Sequence, residues 1–230
     1  VCGCSKTYGG SGDPSPVTAY GVLQGIKACA LHTFGSPDLT GRSVALMGVG
    51  KVGHALCGHL VEAGAKVTIG DINVDNAASA VAAFGVETRP LDEIHKQEVD
   101  IFAPCALGGI INDDTISEFR CKIIAGAANN QLAREEHGEK LRDLGILYAP
   151  DFVINSGGLI NVEDELRGYD RERAMTRVEG IYKQMQHIFA MSRDRQISTA
   201  RAALEYAEDR IRQISRIRLV RTTEYGSAAH

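Results

Sequence analysis

The sequence predicts an α/β fold: a doubly wound parallel sheet covered on both faces, followed by C-terminal helices. Three observations lead there. Short apolar runs of strand length alternate with stretches of helical periodicity. The first run closes on a glycine-rich turn that opens a helix. After Asp151 the alternation gives way to two long helical patterns.

Residues 1–14 are glycine-rich and polar, with a Gly12-Asp13-Pro14 turn, and predict a loop. A helix is expected from there, with Ser15 as its cap and Pro16 in the first helical position. Val17, Tyr20, Val22, Leu23, Ile26, Ala30 and Phe34 keep helical spacing, and Gly35 stops it. Ser43–Met47, bounded by Gly41 and Gly48, reads as a buried strand. A helix over 51–62, stopped by Gly64, and a strand over Lys66–Gly70, closing on Asp71, come next. Beyond them a helix over 75–84 precedes a poorly patterned stretch, and a strand over 100–103 follows. A short helix, a strand over 122–125, a helix over 134–143 and a strand over 146–149 complete the alternation. A helix over 171–191 has one apolar face at Ala174, Val178, Ile181, Met185 and Ile188. A last helix over 198–217 has its apolar face at Ala200, Leu204, Ala207, Ile211 and Ile214, with Arg and Glu on the solvated side.

Composition narrows the function. The 230 residues are 44% hydrophobic and 23% charged, a globular balance that excludes disordered, collagenous and coiled-coil chains. The 25 basic and 29 acidic residues are interspersed, with no basic stripe for nucleic acid. Apolar runs are too short for a membrane span, so a soluble protein with no membrane or nucleic-acid partner is expected. Of the six cysteines, Cys29, Cys57, Cys105 and Cys121 lie in apolar-periodic segments, where free thiols behave as small buried hydrophobes. Cys2 and Cys4 have no second pair at zinc-ligand spacing, so no metal is expected and reduced thiols in a cytoplasmic protein are. The chain begins with Val1 rather than methionine and reads as a piece of something longer.

Chemistry concentrates in one motif. Gly48-Val49-Gly50-Lys51-Val52-Gly53 matches the dinucleotide fingerprint in full, after a strand and opening a helix. Gly48 permits the tight turn, Gly50 lets backbone approach a pyrophosphate, and Gly53 lets helix and strand pack closely. The helix start offers free N–H groups and a positive dipole end. Asp71 ends the next strand 21 residues after Gly50, where a carboxylate accepts the adenosine ribose hydroxyls and repels a 2′-phosphate. No arginine follows in Ile72-Asn73-Val74-Asp75, so NAD is expected over NADP. A Rossmann-type sheet is the implied fold.

Four further segments carry a resemblance. They are Ser11–Gly21 (SGDPSPVTAYG), Ala103–Gly108 (APCALG), Ala125–Leu132 (AGAANNQL) and Tyr148–Gly158 (YAPDFVINSGG). Together, in this order, they resemble the leucine, phenylalanine and valine dehydrogenases of the glutamate dehydrogenase superfamily, from Ser11 to about Ser215. The resemblance implies NAD-dependent oxidative deamination of an apolar or aromatic L-amino acid to its 2-oxo acid and ammonia, reversibly, in a homo-oligomer. It also implies three regions: a lead-in over 1–14 left from a missing N-terminal domain, an NAD-binding domain over 15–165, and C-terminal helices over 166–230.

By the same resemblance, Thr18 stands near the nicotinamide amide; a helical threonine bonding its own backbone is the alternative. Cys105, Ala106, Leu107, Ala127 and Asn129 join the glycine loop, Asp71 and Ile72 as cofactor-binding positions. Asn130, Asn155, Leu159 and Val162 shape the substrate pocket, although Asn155 would equally serve as a helix cap. The apolar pair leaves a charged substrate side chain nothing to pair with. The family's catalytic lysine, in a glycine-rich segment, and its catalytic aspartate belong to the amino-terminal domain. None of the eight lysines here sits in that segment, so no catalytic residue is expected in this chain. A non-catalytic NAD-binding module is the alternative.

Overall fold

Continuous apolar runs need partners on both faces of a strand, and a sheet covered by helices on both sides supplies them. In the computed structural model, residues 3–5, 7 and 9–225 are described, with side chains to Ser215. Among them six strands form one sheet in the order β3-β2-β1-β4-β5-β6, and every neighbouring pair is parallel. The strands are β1 (Ser43–Met47), β2 (Lys66–Gly70), β3 (Glu87–Thr88), β4 (Ile101–Pro104), β5 (Ile123–Ile124) and β6 (Leu147–Tyr148). Val44 and Leu46 of β1 with Ile101 and Ala103 of β4 join the core on one face. Ala45 and Phe102, one residue out of phase, join the core on the other.

The first face carries α1 (Ser15–Phe34), α2 (Lys51–Glu62), α7 (Arg171–Arg195) and the start of α8 (Thr199–Tyr225). The other takes Ile94, Phe119 and Leu141, the last from α4 (Glu136–Asp143). Between β2 and β3 lies α3 (Val74–Phe84), capped by Asn73, whose side chain accepts from the Asp75 and Asn76 amides. The apolar face expected on α7 is buried at all five positions, from Ala174 to Ile188.

Several expectations are corrected. Helix α1 begins at Ser15 itself, with Pro14 in the cap position; the Ser15 side chain caps nothing. Asp13 does that work, its Oδ1 accepting from the Ser15 amide at 2.9 Å. Strand β3 falls in the stretch that showed no pattern, because both its residues are exposed. The short helix expected between β4 and β5 is a run of turns, since Asn112 and Thr115 bind the local backbone instead. The apolar face expected on α8 holds in part: Ala200 packs against the core and Ala207 is half-buried, but Leu204, Ile211 and Ile214 are exposed, while Ala202 and Ala203 are buried. Small alanines let only the first turns of α8 dock closely. Cys29, Cys57 and Cys121 are buried but Cys105 is half-buried at a strand end. Cys2 and parts of the lead-in loop lie outside the described residues.

After β6 the chain forms two short helices, α5 (Asp151–Ile154) and α6 (Gly157–Glu163), and a 3-10 turn over Asp164–Arg167. Asp164, fully buried, receives two hydrogen bonds from Arg173 at 2.7 and 2.8 Å and one from the Asp170 amide at 2.8 Å. Next to it, Glu165 accepts from the Gly3 amide at 2.7 Å and from the Ser11 amide at 2.6 Å. These donors, Ser11 foremost, pull the Glu165 carboxyl down to about 2. The lead-in is thereby fastened to the segment that leaves the sheet.

Candidate functional site

Strand order reverses between β1 and β4, so a crevice opens at their carboxyl ends, where doubly wound sheets take ligands. The fingerprint turn lies there. Gly48 has φ +94°, and a Cβ on it would stand 2.8 Å from that of Ala106. A Cβ on Gly53 would lie 2.0 Å from the Gly48 carbonyl oxygen, so helix and turn meet only because Gly53 lacks a side chain. Gly50 is different: nothing lies within 4 Å of its would-be Cβ, which leaves open space above the start of α2. No side chain caps that helix. Its first N–H groups lack intrahelical partners and stay available to an anion.

Asp71, at the end of β2, reaches the same turn. Its Oδ2 accepts from the Val49 amide at 2.6 Å and its Oδ1 from the Asn73 amide at 2.7 Å. The carboxylate is thus fixed before any ligand arrives and keeps lone pairs for hydroxyl donors. Ile72 and Leu107 are each 87% exposed and, with Gly48, Asp71 and Ala106, line one cavity of about 250 Å³. Exposed apolar groups flanking a fixed carboxylate suit the flat face and ribose of a nucleoside. Lys51 is exposed and stands 3.7 Å from Asp13; Val52 packs inward against the core.

Across the crevice, Cys105 accepts from the Ala127 amide at 3.4 Å, and burial pushes its thiol up to about 12. It is a packing group, not a nucleophile. Thr18 donates to the Pro14 carbonyl at 2.9 Å, the backbone-bonding alternative. It also sits where a Cβ on Gly158 would come within 2.4 Å of its Oγ1, so α1 and α6 touch at this point.

The turn after β5, Gly126–Gln131, is held by amides. Gln131, fully buried, donates through Nε2 to the Gly126 and Ala128 carbonyls, each at 2.9 Å. Its own amide donates to Asp151 Oδ2 at 3.0 Å. Asn155 donates through Nδ2 to the Ala127 carbonyl at 3.2 Å and to Asn129 Oδ1 at 2.6 Å. Asn129 and Asn130 are exposed, and Asn130 takes a left-handed φ of +51°. Leu159 is 73% exposed on α6, with Val162 half-buried one turn on. Gln131 and Asp151 lie in the segments that carry the resemblance but were not singled out, because a buried amide and a turn carboxylate look like any other in sequence.

One group of ligand types lies elsewhere. Asp113, Glu136 and His137 bring oxygen and nitrogen atoms within 4.8 Å of one another. Lys140, at 2.9 Å, and Arg134 already pair with Asp113 and hold its carboxyl far below the usual range. A cation there would have to compete with two fixed ones. Among the described residues no helix is long and apolar enough to cross a membrane.

Comparison with known proteins shows the family and the fold. Residues 72–220 match the family model described as Glutamate/Leucine/Phenylalanine/Valine dehydrogenase. Leucine dehydrogenase of Thermoactinomyces intermedius is 53% identical over 95% of this chain and 60% of its own length. Phenylalanine dehydrogenase of the same organism is 44% identical, again over 95% and 60%. The solved structure of L-tryptophan dehydrogenase from Nostoc punctiforme superposes with a TM-score of 0.85 at 45% identity, over 89% of this chain and 61% of that one. A hetero-hexameric glutamate dehydrogenase from Thermus thermophilus, 24% identical with a TM-score of 0.76 over 95% of this chain and 57% of that one, shares the fold. The chain spans about 60% of the length of the relatives it matches.

Proposed function

The chain belongs to the glutamate/leucine/phenylalanine/valine dehydrogenase family, and from that premise we propose that it is the NAD-binding part of an enzyme that oxidatively deaminates an apolar or aromatic L-amino acid. The observation that carries this reading is the turn at the switch point: an uncapped helix start under open space at Gly50, with Asp71 already fastened to Val49. NAD, when bound, supplies the acceptor for the hydride of the substrate α-carbon.

The backbone of residues 48–53 holds the pyrophosphate, with Lys51 as an outer charge. Asp71 and Ile72 take the adenosine ribose, and Cys105, Ala106 and Leu107 form the opposite wall. Thr18, Ala127 and Asn129 stand at the nicotinamide end. Asn130, Asn155, Leu159 and Val162 face the substrate, and the apolar pair suits an uncharged side chain. NAD is preferred to NADP because residues 72–75 offer a 2′-phosphate no cation beside the Asp71 carboxylate. The relatives' names support apolar and aromatic substrates. We place the protein in the cytoplasm as a homo-oligomer. Acid–base chemistry at the amine needs a group with a pKa near working pH, and that duty falls to the family lysine and aspartate, which no segment of this chain resembles.

The test is a fluorescence titration of the chain with NADH and NADPH, alongside turnover assays with leucine, valine, phenylalanine and tryptophan. NADH binding that exceeds NADPH binding, with turnover at background, is expected. Equal binding of the two would overturn the role given to Asp71, and no binding would overturn the whole reading. Steady NADH production, abolished by substituting Asp71 or Gly50, would overturn the division of labour.

A further inference from the structure

The turn after β5 presents its polar atoms asymmetrically. The carbonyls of Gly126, Ala127 and Ala128 all accept from buried or half-buried side-chain amides: Gln131 takes the first and third, Asn155 the second. A backbone carbonyl can only accept, so the Asn155 atom facing Ala127 must be Nδ2. The same nitrogen stands 2.6 Å from the Asn129 side chain, so the Asn129 atom facing it must be Oδ1. The oxygen of Asn129 therefore points inward. Its Nδ2 has no partner among the described residues and remains exposed at the carboxyl edge of the sheet. Each amide orientation follows from the one before it, starting at a carbonyl that cannot flip.

We propose that Asn155 is a positioning residue, which fixes Asn129 as a hydrogen-bond donor and so makes this edge of the crevice select an acceptor oxygen on the ligand. This rests on the NAD reading above and deepens it. Two ligand groups carry such an oxygen, the carboxamide of a nicotinamide and the carboxylate of a 2-oxo acid. A thiocarbonyl, whose sulfur is a weak acceptor, would be refused by the same donor.

Two variants test the relay. Asn155→Asp cannot donate to Ala127 or to Asn129, and frees Asn129 to turn. Asn129→Asp, on an exposed side chain with little folding risk, removes the donor directly. Each is titrated with NADH, with reduced thionicotinamide adenine dinucleotide and with ADP-ribose, which lacks the nicotinamide. The NADH complex is then titrated with 2-oxoisocaproate by fluorescence quenching. Wild-type protein is expected to bind NADH more tightly than the thio analogue. Both variants should weaken NADH about tenfold, the worth of one hydrogen bond to a well-placed partner, and lose that preference. ADP-ribose should bind them as it binds wild type. A loss confined to the oxo-acid titration would identify the carboxylate as the oxygen selected and would equally support a fixed donor.

Unchanged NADH and oxo-acid binding in Asn129→Asp overturns the donor assignment. A loss in Asn129→Asp without one in Asn155→Asp overturns the positioning role. Failure of wild type to bind ADP-ribose would instead count against the cofactor reading, so the two failures are told apart. If the double variant loses more than about the larger single loss, the residues act independently and the relay is refuted.

Discussion

Two turns at the same edge of the sheet are built by opposite means. The turn after β1, residues 48–53, is held by what its glycines lack: Gly53 meets the Gly48 carbonyl, and Gly48 meets Ala106. The turn after β5, residues 126–131, is held by what side chains add, through Gln131, Asn155 and Asp151. The first presents backbone N–H groups, which suit any diphosphate. The second presents a side-chain amide whose direction is set by other amides, which suits one polarity of partner. A backbone-built turn recognises a class, and a side-chain-built turn chooses within it.

The largest expected effect breaks the first turn. Gly53→Ala places a Cβ 2.0 Å from a backbone oxygen that cannot rotate away. Urea unfolding should show a loss above about 4 kcal/mol, the range reserved for severe core insults, and NADH binding should vanish. Next comes the second turn. Gln131→Leu keeps much of the volume but leaves the Gly126 and Ala128 carbonyls without their donor, at about 2–4 kcal/mol in the same assay. A loss under about 1 kcal/mol would mean that this turn does not depend on its amides.

A milder change separates space from fold. Gly50→Ala adds a Cβ with nothing within 4 Å, so stability should stay within about 1 kcal/mol of wild type. NADH affinity should nevertheless fall at least about tenfold, because the methyl fills the place where a phosphate approaches backbone. The smallest effect belongs to Lys51→Ala. That side chain is 82% exposed and pairs only loosely with Asp13, so NADH affinity should change less than about threefold, as for exposed ion pairs. A tenfold loss there would show that the first turn, too, relies on a side chain.

What could be read in the sequence follows the same division. Strand β1, the glycine pattern and helix α2 were legible because hydrophobic periodicity and glycine spacing are local signals. Asp71 was legible as a carboxylate at a strand end, though not as an acceptor for the Val49 amide. Strand β3 left no trace, since Glu87 and Thr88 are exposed and only backbone pairing with β2 makes them a strand. The α8 pattern misled, because helical spacing cannot say how far along its length a helix stays docked. Leu204, Ile211 and Ile214 have the right spacing and the wrong surroundings. The amide relay from Ala127 through Asn155 to Asn129 joins residues 26 to 28 apart in sequence, and no periodicity encodes a contact of that kind.

The Glu165 contact sets a timetable. Its carboxylate joins amides at sequence separations of 162 and 154, so the long stretch of chain between them, the whole sheet included, must find its place before this ring closes. In a refolding experiment with pulsed hydrogen exchange, the Ser11 amide should gain protection in the final phase; protection as early as that of β1 would refute the order. Acid should undo the closure. The Glu165 carboxyl sits at about 2 against an ordinary 4.5, so its contribution is whole above about pH 4.5 and fades as pH falls toward 2. The latch that forms last is therefore expected to open again in acid.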